Sequence, residues 1–346
     1  MSDLAKPPIH LLTESDGFFG QRLMPWESMD VDLIERILSE HFSVRRVSYA
    51  EIASGKVSLI DSVVVHSSSQ QPDYKQFIDD VLLYLHATGN RLVPSIHATR
   101  SHENKGYQQL HRRLRGIEAL KPGYFAKLSE LDLDRIDFPI VFKDVAGFGS
   151  SGVQLVRAKS ELGKAAVAER RFSWRETRRA LRRRLGYFIR KRVLRRDVQW
   201  CGNYYKRMKR FVLQEYIPGL THDFKVLTFQ DRIFLVRRDV RPNDFRASGS
   251  GLLYFDDPPP GLLDFAYELL RKFDEPYMSF DICFDGSRFH LLEFQGVHFG
   301  PLVVLESRRH FQRRDGRWTE CTDHVELENV IGESLVSYLK QVCNRG

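Results

Sequence analysis

Cysteine is scarce in this chain of 346 residues. The four, Cys201, Cys283, Cys321 and Cys343, are widely scattered. They make no CxxC pair and no metal-ligand spacing, so neither a disulfide framework nor a zinc module is expected, and a reducing compartment is. No stretch approaches the ~18 consecutive apolar residues of a membrane span. The opening MSDLAKPPIHLL has no basic region followed by a long apolar run, so the expectation is a chain without a signal peptide, in the cytoplasm. The His-Arg-Asp and Asp-Phe-Gly tripeptides of protein kinases occur nowhere. Internal repeats are absent, as is any convincing Ser-His-Asp or Cys-His arrangement; the 12 histidines are scattered.

Apolar residues are plentiful, at 42% with 12% aromatic, which marks a globular chain long enough for two or three domains. The net charge of +8 is unevenly spread. Residues 164–210 hold 18 of the 53 basic residues and only Glu169, Glu176 and Asp197 of the 45 acids, a net of +15. The remainder is a mildly acidic body of −7. The overall charge points to nucleic acid; its distribution points to one basic segment on an acidic protein.

Residues 8–100 alternate strand and helix signals: strands over Ile9–Thr13, Val44–Tyr49, Asp61–His66 and Arg91–Ile96, helices over Val31–Glu40 and Tyr74–Thr88. That pattern predicts a small parallel α/β domain. From residue 139 strands and hairpins take over: Pro139–Lys143, Val153–Arg157, Phe211–Gln214, Phe224–Phe229 and Ile233–Arg238. A helix over Leu263–Phe273, a hairpin Met278–Phe284/Arg288–Phe294 around Asp285-Gly286, and a closing helix over Gly332–Val342 follow.

Gly147-Phe-Gly-Ser-Ser-Gly152 matches G-x-G-x-x-G, yet a strand follows it where a dinucleotide site needs a helix. What remains is strand, glycine loop, strand, with Lys143 ending the first. Backbone N–H groups in such a loop can surround phosphate oxygens; a flexible hairpin turn fits equally. In the acidic hairpin, Glu293 and Gln295 lie two apart and share a face. Asp281 joins them if the loop around Asp285-Gly286 has three residues and faces away if it has two. Two carboxylates and an amide oxygen on one face suit Mg²⁺; the alternative is a solvated polar face on an edge hairpin.

Taken in order over about 101–157 and 211–301, these pieces resemble the ATP-grasp superfamily of carboxylate–amine ligases, nearest to the ribosomal-protein glutamate ligase and glutathione synthetase type. The resemblance implies ATP lysines at Lys105, after Asn104, and at Lys143. It implies a phosphate-covering loop of Gly147, Gly149, Ser150, Ser151 and Gly152. Gln214, Glu215, Tyr216 and Ile217 match the adenine-holding hinge, and Asp223 the ribose-binding acid. Lys225 stands where the nearest relatives usually have arginine. Arg237, Arg238 and Arg246 match the residues that hold phosphates and an acyl-phosphate, with Lys225, Arg238 and Arg246 as the catalytic set. Asp281, Glu293 and Gln295 match the metal ligands, glutamine replacing the usual asparagine.

The implied fold is mixed α/β and α+β, an ATP-grasp fold behind an N-terminal Rossmann-like domain. Its segments are 1–100 (the α/β domain), 101–163 (first part of the lid), 164–210 (a basic helical insertion), 211–310 (hinge and metal-binding part) and 311–346 (C-terminal extension). The implied activity is ADP-forming ligation with ATP and Mg²⁺ as cofactors. A carboxylate becomes an acyl-phosphate and an amine attacks it, with no enzyme nucleophile. Two other readings are a degenerate, non-catalytic polyanion-binding module and a phosphotransferase.

Within the basic segment, Ser173–Glu176 is a capping-box pattern. Trp174, Leu181, Leu185, Phe188 and Val193 recur at near-helical spacing, predicting a basic amphipathic helix over 173–196. Such a helix can contact an anionic acceptor such as a polysaccharide or acidic peptide, an anionic membrane surface, or, less favoured, nucleic acid; or it packs its stripe on the body with its charges in water.

Overall fold

The structure, a computed structural model, describes residues 6–147, 152–166, 174–193 and 210–344. The chain forms two compact units: one runs to Leu120 and resumes at Ile217, and the other comprises Lys121–Gly147 and the described residues from 152 to Tyr216. These units cut across the expected segments. Residues 101–120 group with the N-terminal part, and 211–216 group with the glycine-loop strands.

The first unit begins with β1 (Pro8–Thr13), α1 (Val31–Ser39), β2 (Ser43–Ser48), α2 (Tyr49–Ala53), β3 (Val63–Val65), α3 (Pro72–Ala87), β4 (Arg91–Val93), α4 (Ile96–Ser101) and α5 (Lys105–Leu114). The four strands are parallel, in the order β2-β1-β3-β4. Both sheet faces are covered, so the central strands β1 and β3 are mostly apolar, while the edge strand β2 carries Arg45 and Arg46. Ile9, Leu11 and Val65 face α1, while Leu12 and Val64 face α2 and α3. The helix starts are set by short polar caps. Asp30 accepts from Leu33 N, Ser48 and Glu51 form a capping box, and Asn104 accepts from Tyr107 N.

In the second unit, β5 (Pro122–Phe125), β6 (Ile140–Asp144), β7 (Val153–Val156), α6 (Lys159–Ala166), α7 (Trp174–Arg192) and β8 (Phe211–Glu215) follow in sequence. Its sheet is antiparallel, ordered β5-β8-β6-β7. One face buries Ile140, Phe142, Val156, Phe211 and Leu213 against α6. By strand alternation the other face carries Val141, Lys143, Val212 and Gln214.

The first unit resumes with β9 (His222–Phe229), β10 (Arg232–Asp239), β11 (Leu253–Tyr254), α8 (Leu262–Phe273), β12 (Tyr277–Phe284), β13 (Phe289–Gln295), α9 (Leu302–Glu306), β14 (His310–Arg314), β15 (Arg317–Cys321) and α10 (Leu327–Cys343). Its strands order as β13-β12-β9-β10-β14-β15, with β11 beside β10. On one face α8 buries Leu262, Leu263, Leu269, Leu270 and Phe273 against Phe224, Val226, Phe280 and Ile282. At about 2 kcal/mol for each large side chain, that is a gross gain on the order of 10 kcal/mol. On the other face α10 and α9 cover Leu227, Phe229, Phe234, Val236 and Tyr277, and the polar residues of the site continue from this apolar patch.

Candidate active site

Strand register assembles the site within the first unit. Glu293 of β13 stands opposite Asp281 of β12, which stands opposite Lys225 of β9. Asp223 of β9 stands opposite Arg238 of β10. Directly opposed residues, and residues two apart on a strand, point to one face. Asp223, Lys225, Arg238, Ser279, Asp281, Glu293 and Gln295 therefore share the face that carries Leu227 and Tyr277.

A bulge decides Asp281's place. The hairpin loop is Asp285-Gly286-Ser287-Arg288, between the pair Phe284–Phe289 and with Ile282 opposite Leu291. An even loop alone would put Leu292 opposite Asp281 and turn Glu293 toward α8. The register shifts between Asp281 and Ile282, so Leu292 is an extra residue and Glu293 moves opposite Asp281. Leu291 and Phe294 both reach the α8 core, as the shift requires.

Arg238, 7% exposed, holds the centre. Its Nε donates to Asp223 Oδ1 at 2.7 Å and its Nη2 to Asp223 Oδ2 at 2.9 Å, and Nη2 also lies 2.9 Å from Asp281 Oδ2. Burial alone would lower the guanidinium, but Asp281 and Asp223 outweigh it and hold Arg238 charged, above its ordinary value. Burial pushes the Asp223 carboxyl up, with Arg238 opposing. Burial lowers Lys225, opposed by Asp281; its Nζ donates to Ser279 Oγ at 3.1 Å.

Helix α5 closes the edge of β13. Lys105, Gln108 and Arg112 lie at i, i+3 and i+7 on one helix face. Lys105 Nζ is 3.4 Å from Glu293 Oε1, Gln108 Nε2 donates to Phe294 O at 2.8 Å, and Arg112 Nη1 donates to Leu291 O at 2.8 Å. Arg112 is fully buried over the Phe294 ring, and burial lowers it to about 10.

Not every expected residue joins this group. Arg237 follows strand alternation to the opposite face, where it pairs with Asp239 at 3.3 Å and Asp256 at 3.1 Å and lies over Tyr254. Arg246 sits on the 241–251 loop and forks onto Asp244, holding that carboxyl down to about 2. Asp223 accepts one bond from Arg238 on each oxygen, and each oxygen keeps a second acceptor site toward a ligand such as the ribose the resemblance implies. His298 is buried, 2.6 Å from Gln70 Nε2, and burial pushes it down to about 4. His222 is half-buried against Phe224. Ser279, Gln108, Arg112 and the bulge at Leu292 carried no sequence signal.

In the second unit, Lys143 and Gln214 share the sheet face away from α6. Gln214 is 3% exposed, and neither of its side-chain amide atoms has a partner. The Glu215 N–H is bonded to Lys121 O, which leaves the other peptide groups of 214–217 as the candidates for the adenine edge that the hinge pattern implies. Gly152 has φ +70°, and a Cβ there would lie 2.6–2.9 Å from Asp144 side-chain atoms, so only glycine closes this end of the loop. Gly149, Ser150 and Ser151 lie outside the described residues, as do residues 194–209 of the basic segment.

The donors fit a divalent cation and a nucleotide. Asp281, Glu293 and Gln295 offer oxygens from one face, and Gln295 Oε1 is buried without a hydrogen-bond partner. The orphaned amide of Gln214 offers one donor and one acceptor, as a base edge requires.

No protein-family model matches the chain, and no curated protein does. Solved structures do. D-alanine–D-alanine ligase from Bacillus anthracis complexed with ATP is 11% identical, with 98% of this chain and 100% of that one covered at a TM-score of 0.51. D-cycloserine synthetase DcsG is 11% identical, with 96% and 99% covered and the same TM-score. The ATP-grasp ligase PsnB complexed with its minimal precursor is 12% identical, with 96% and 99% covered at 0.49.

Proposed function

The chain has the ATP-grasp fold, and on that premise we propose that it is an ATP- and Mg²⁺-dependent ligase that joins a carboxylate to an amine and releases ADP. The observation that carries this reading is the register-built row Glu293–Asp281–Lys225 with the Arg238–Asp223 fork beside it. With Lys105, three acids balance three bases on one face. A balanced, largely buried array has charge to spare for neither sign, so it suits a ligand that brings its own cation and anion together.

Mg²⁺, when bound, draws charge off the phosphate oxygens during transfer to the carboxylate. Asp281, Glu293 and the Gln295 carbonyl would hold it. Arg238 stays protonated and is fixed through Nε and Nη2 by Asp223 and Asp281, which leaves Nη1 to donate to phosphate oxygens. Asp223 is then a positioning residue. Lys225 and Lys105 supply further charge beside Asp281 and Glu293. In the second unit, the Gln214 amide suits a base edge and Lys143 a phosphate oxygen, as the sequence resemblance implies.

For the acceptor, α7 supports an acidic partner such as a peptide. Leu181, Leu185, Phe188 and Ile189 are 48–68% exposed, and they lie among Arg178, Arg182, Arg183, Arg190, Lys191 and Arg192. Of the predicted stripe, Leu181, Leu185, Phe188 and Val193 are therefore exposed. Partner binding through it should weaken steeply with salt.

Hydroxylamine tests the chemistry without knowledge of the amine. Purified protein given ATP, Mg²⁺, hydroxylamine and a panel of carboxylic acids should yield a hydroxamate and equimolar ADP for a cognate acid. AMP as product contradicts the proposal.

A further inference from the structure

The β14–β15 hairpin sets up a second constellation, away from the residues used above. Its loop is the two-residue Asp315-Gly316, with φ of 49° and 78°. Positive φ at both central positions belongs to the hairpin turn whose twist matches its strands, which fixes the register. In that register His310 stands directly opposite Cys321. Asp323 follows two residues later, on the link into α10.

Among the described residues, His310, Cys321 and Asp323 are the one group of three or more His, Cys, Asp or Glu side chains whose donor atoms come together, all within 4.8 Å of one another. His310 is only 2% exposed, packed against the Phe234 ring at 5.1 Å, and its buried Nδ1 has no hydrogen-bond partner. An imidazole nitrogen left unpaired in a protein interior costs about 1–3 kcal/mol, so it calls for a ligand. Cys321 is half-buried and Asp323 exposed, which leaves an entry path.

We propose that His310, Cys321 and Asp323 bind a borderline divalent cation, Zn²⁺ first among them. Imidazole, thiolate and carboxylate are the donor types that Zn²⁺ takes, and three of them leave a fourth tetrahedral position for water. A small rotation of each side chain closes 4.8 Å to the separations such a centre needs. The Cys321 thiol, which now points its proton toward Thr319 O at 3.9 Å, releases that proton to solvent on binding. The ion ties the end of the hairpin to the link that enters α10, a helix packed along the main core. Soft and nitrogen donors also separate this site from the all-oxygen set proposed for Mg²⁺.

Co²⁺ titrated into metal-free, full-length protein tests this. The expected result is a thiolate-to-cobalt charge-transfer band with tetrahedral visible bands, saturating at one ion per chain, displaced by Zn²⁺ and unchanged by excess Mg²⁺. C321S should abolish the charge-transfer band, and both C321S and D323N should weaken Zn²⁺ binding at least about tenfold. Both positions have side-chain exposure, so these variants keep the fold; D281N should leave the signal intact. Absence of stoichiometric binding, or binding unchanged in C321S and D323N, overturns the proposal.

Discussion

Asp281 faces Glu293 because Leu292 is an extra residue in its strand. Two carboxylates brought together in this way act as one unit, since neither alone completes a metal site. D281N and E293Q should each lower ATP turnover by about 10²-fold or more, while the double variant should be little worse than either single one. Steady-state ADP release across this double-mutant cycle checks it.

Arg238 is held by Asp223 on both oxygens, with little solvent to replace it. Removing Asp223 leaves the buried guanidinium with Asp281 as its one remaining carboxylate partner among the described residues. D223A should therefore destabilise the first unit by about 3 kcal/mol, and adding R238M to D223A should restore part of that loss. Urea unfolding followed by tryptophan fluorescence measures both. The double variant should recover stability without activity.

Gln295 contributes a carbonyl oxygen and nothing that another carbonyl could not. Q295N should keep ATP turnover within about tenfold of the natural chain, whereas Q295L should lose it along with Mg²⁺ dependence. Titration of turnover against Mg²⁺ separates the two.

Glu275 gives a pH signature independent of catalysis. It is 2% exposed, bonded by Ser95 N and Ser95 Oγ at the start of α4, and burial raises it to about 7 from an ordinary 4.5. Between those values the folded chain keeps a proton that the unfolded chain has lost. Stability from this group is full below pH 4.5 and is lost as pH rises to 7, by on the order of 3 kcal/mol. E275Q should flatten that part of the stability profile, as measured by urea unfolding from pH 5 to 8.

The fold was legible where periodicity was strong. Val31–Ser39, Pro72–Ala87 and Leu262–Phe273 appear within two residues of the positions their apolar spacing implied. The β14–β15 hairpin was not, although Asp315-Gly316 marks its turn, because Arg313, Arg314 and Arg317 flank that turn in place of alternating apolar residues. Cys321 therefore looked isolated, and its partner became visible only through register. In the site, residue types were readable but their faces were not. Arg237 and Arg238 are adjacent, so a strand can present only one of them to the cluster. Loop counting alone left Asp281's side open, and a bulge, which has no sequence mark here, settled it. That Asp223 also anchors Arg238 became visible only through register.

On the proposed function, the Asp281–Glu293–Gln295 face, with Arg238 beside it, holds Mg²⁺ and nucleotide phosphates. Calorimetric titration of ATP into purified protein, with and without Mg²⁺, in the natural chain and in D281N/E293Q, tests it most directly. Mg²⁺-dependent binding is expected in the natural chain, weakened at least about tenfold in the variant with the fold retained. ATP binding that is absent, or equally strong in the variant, would contradict it.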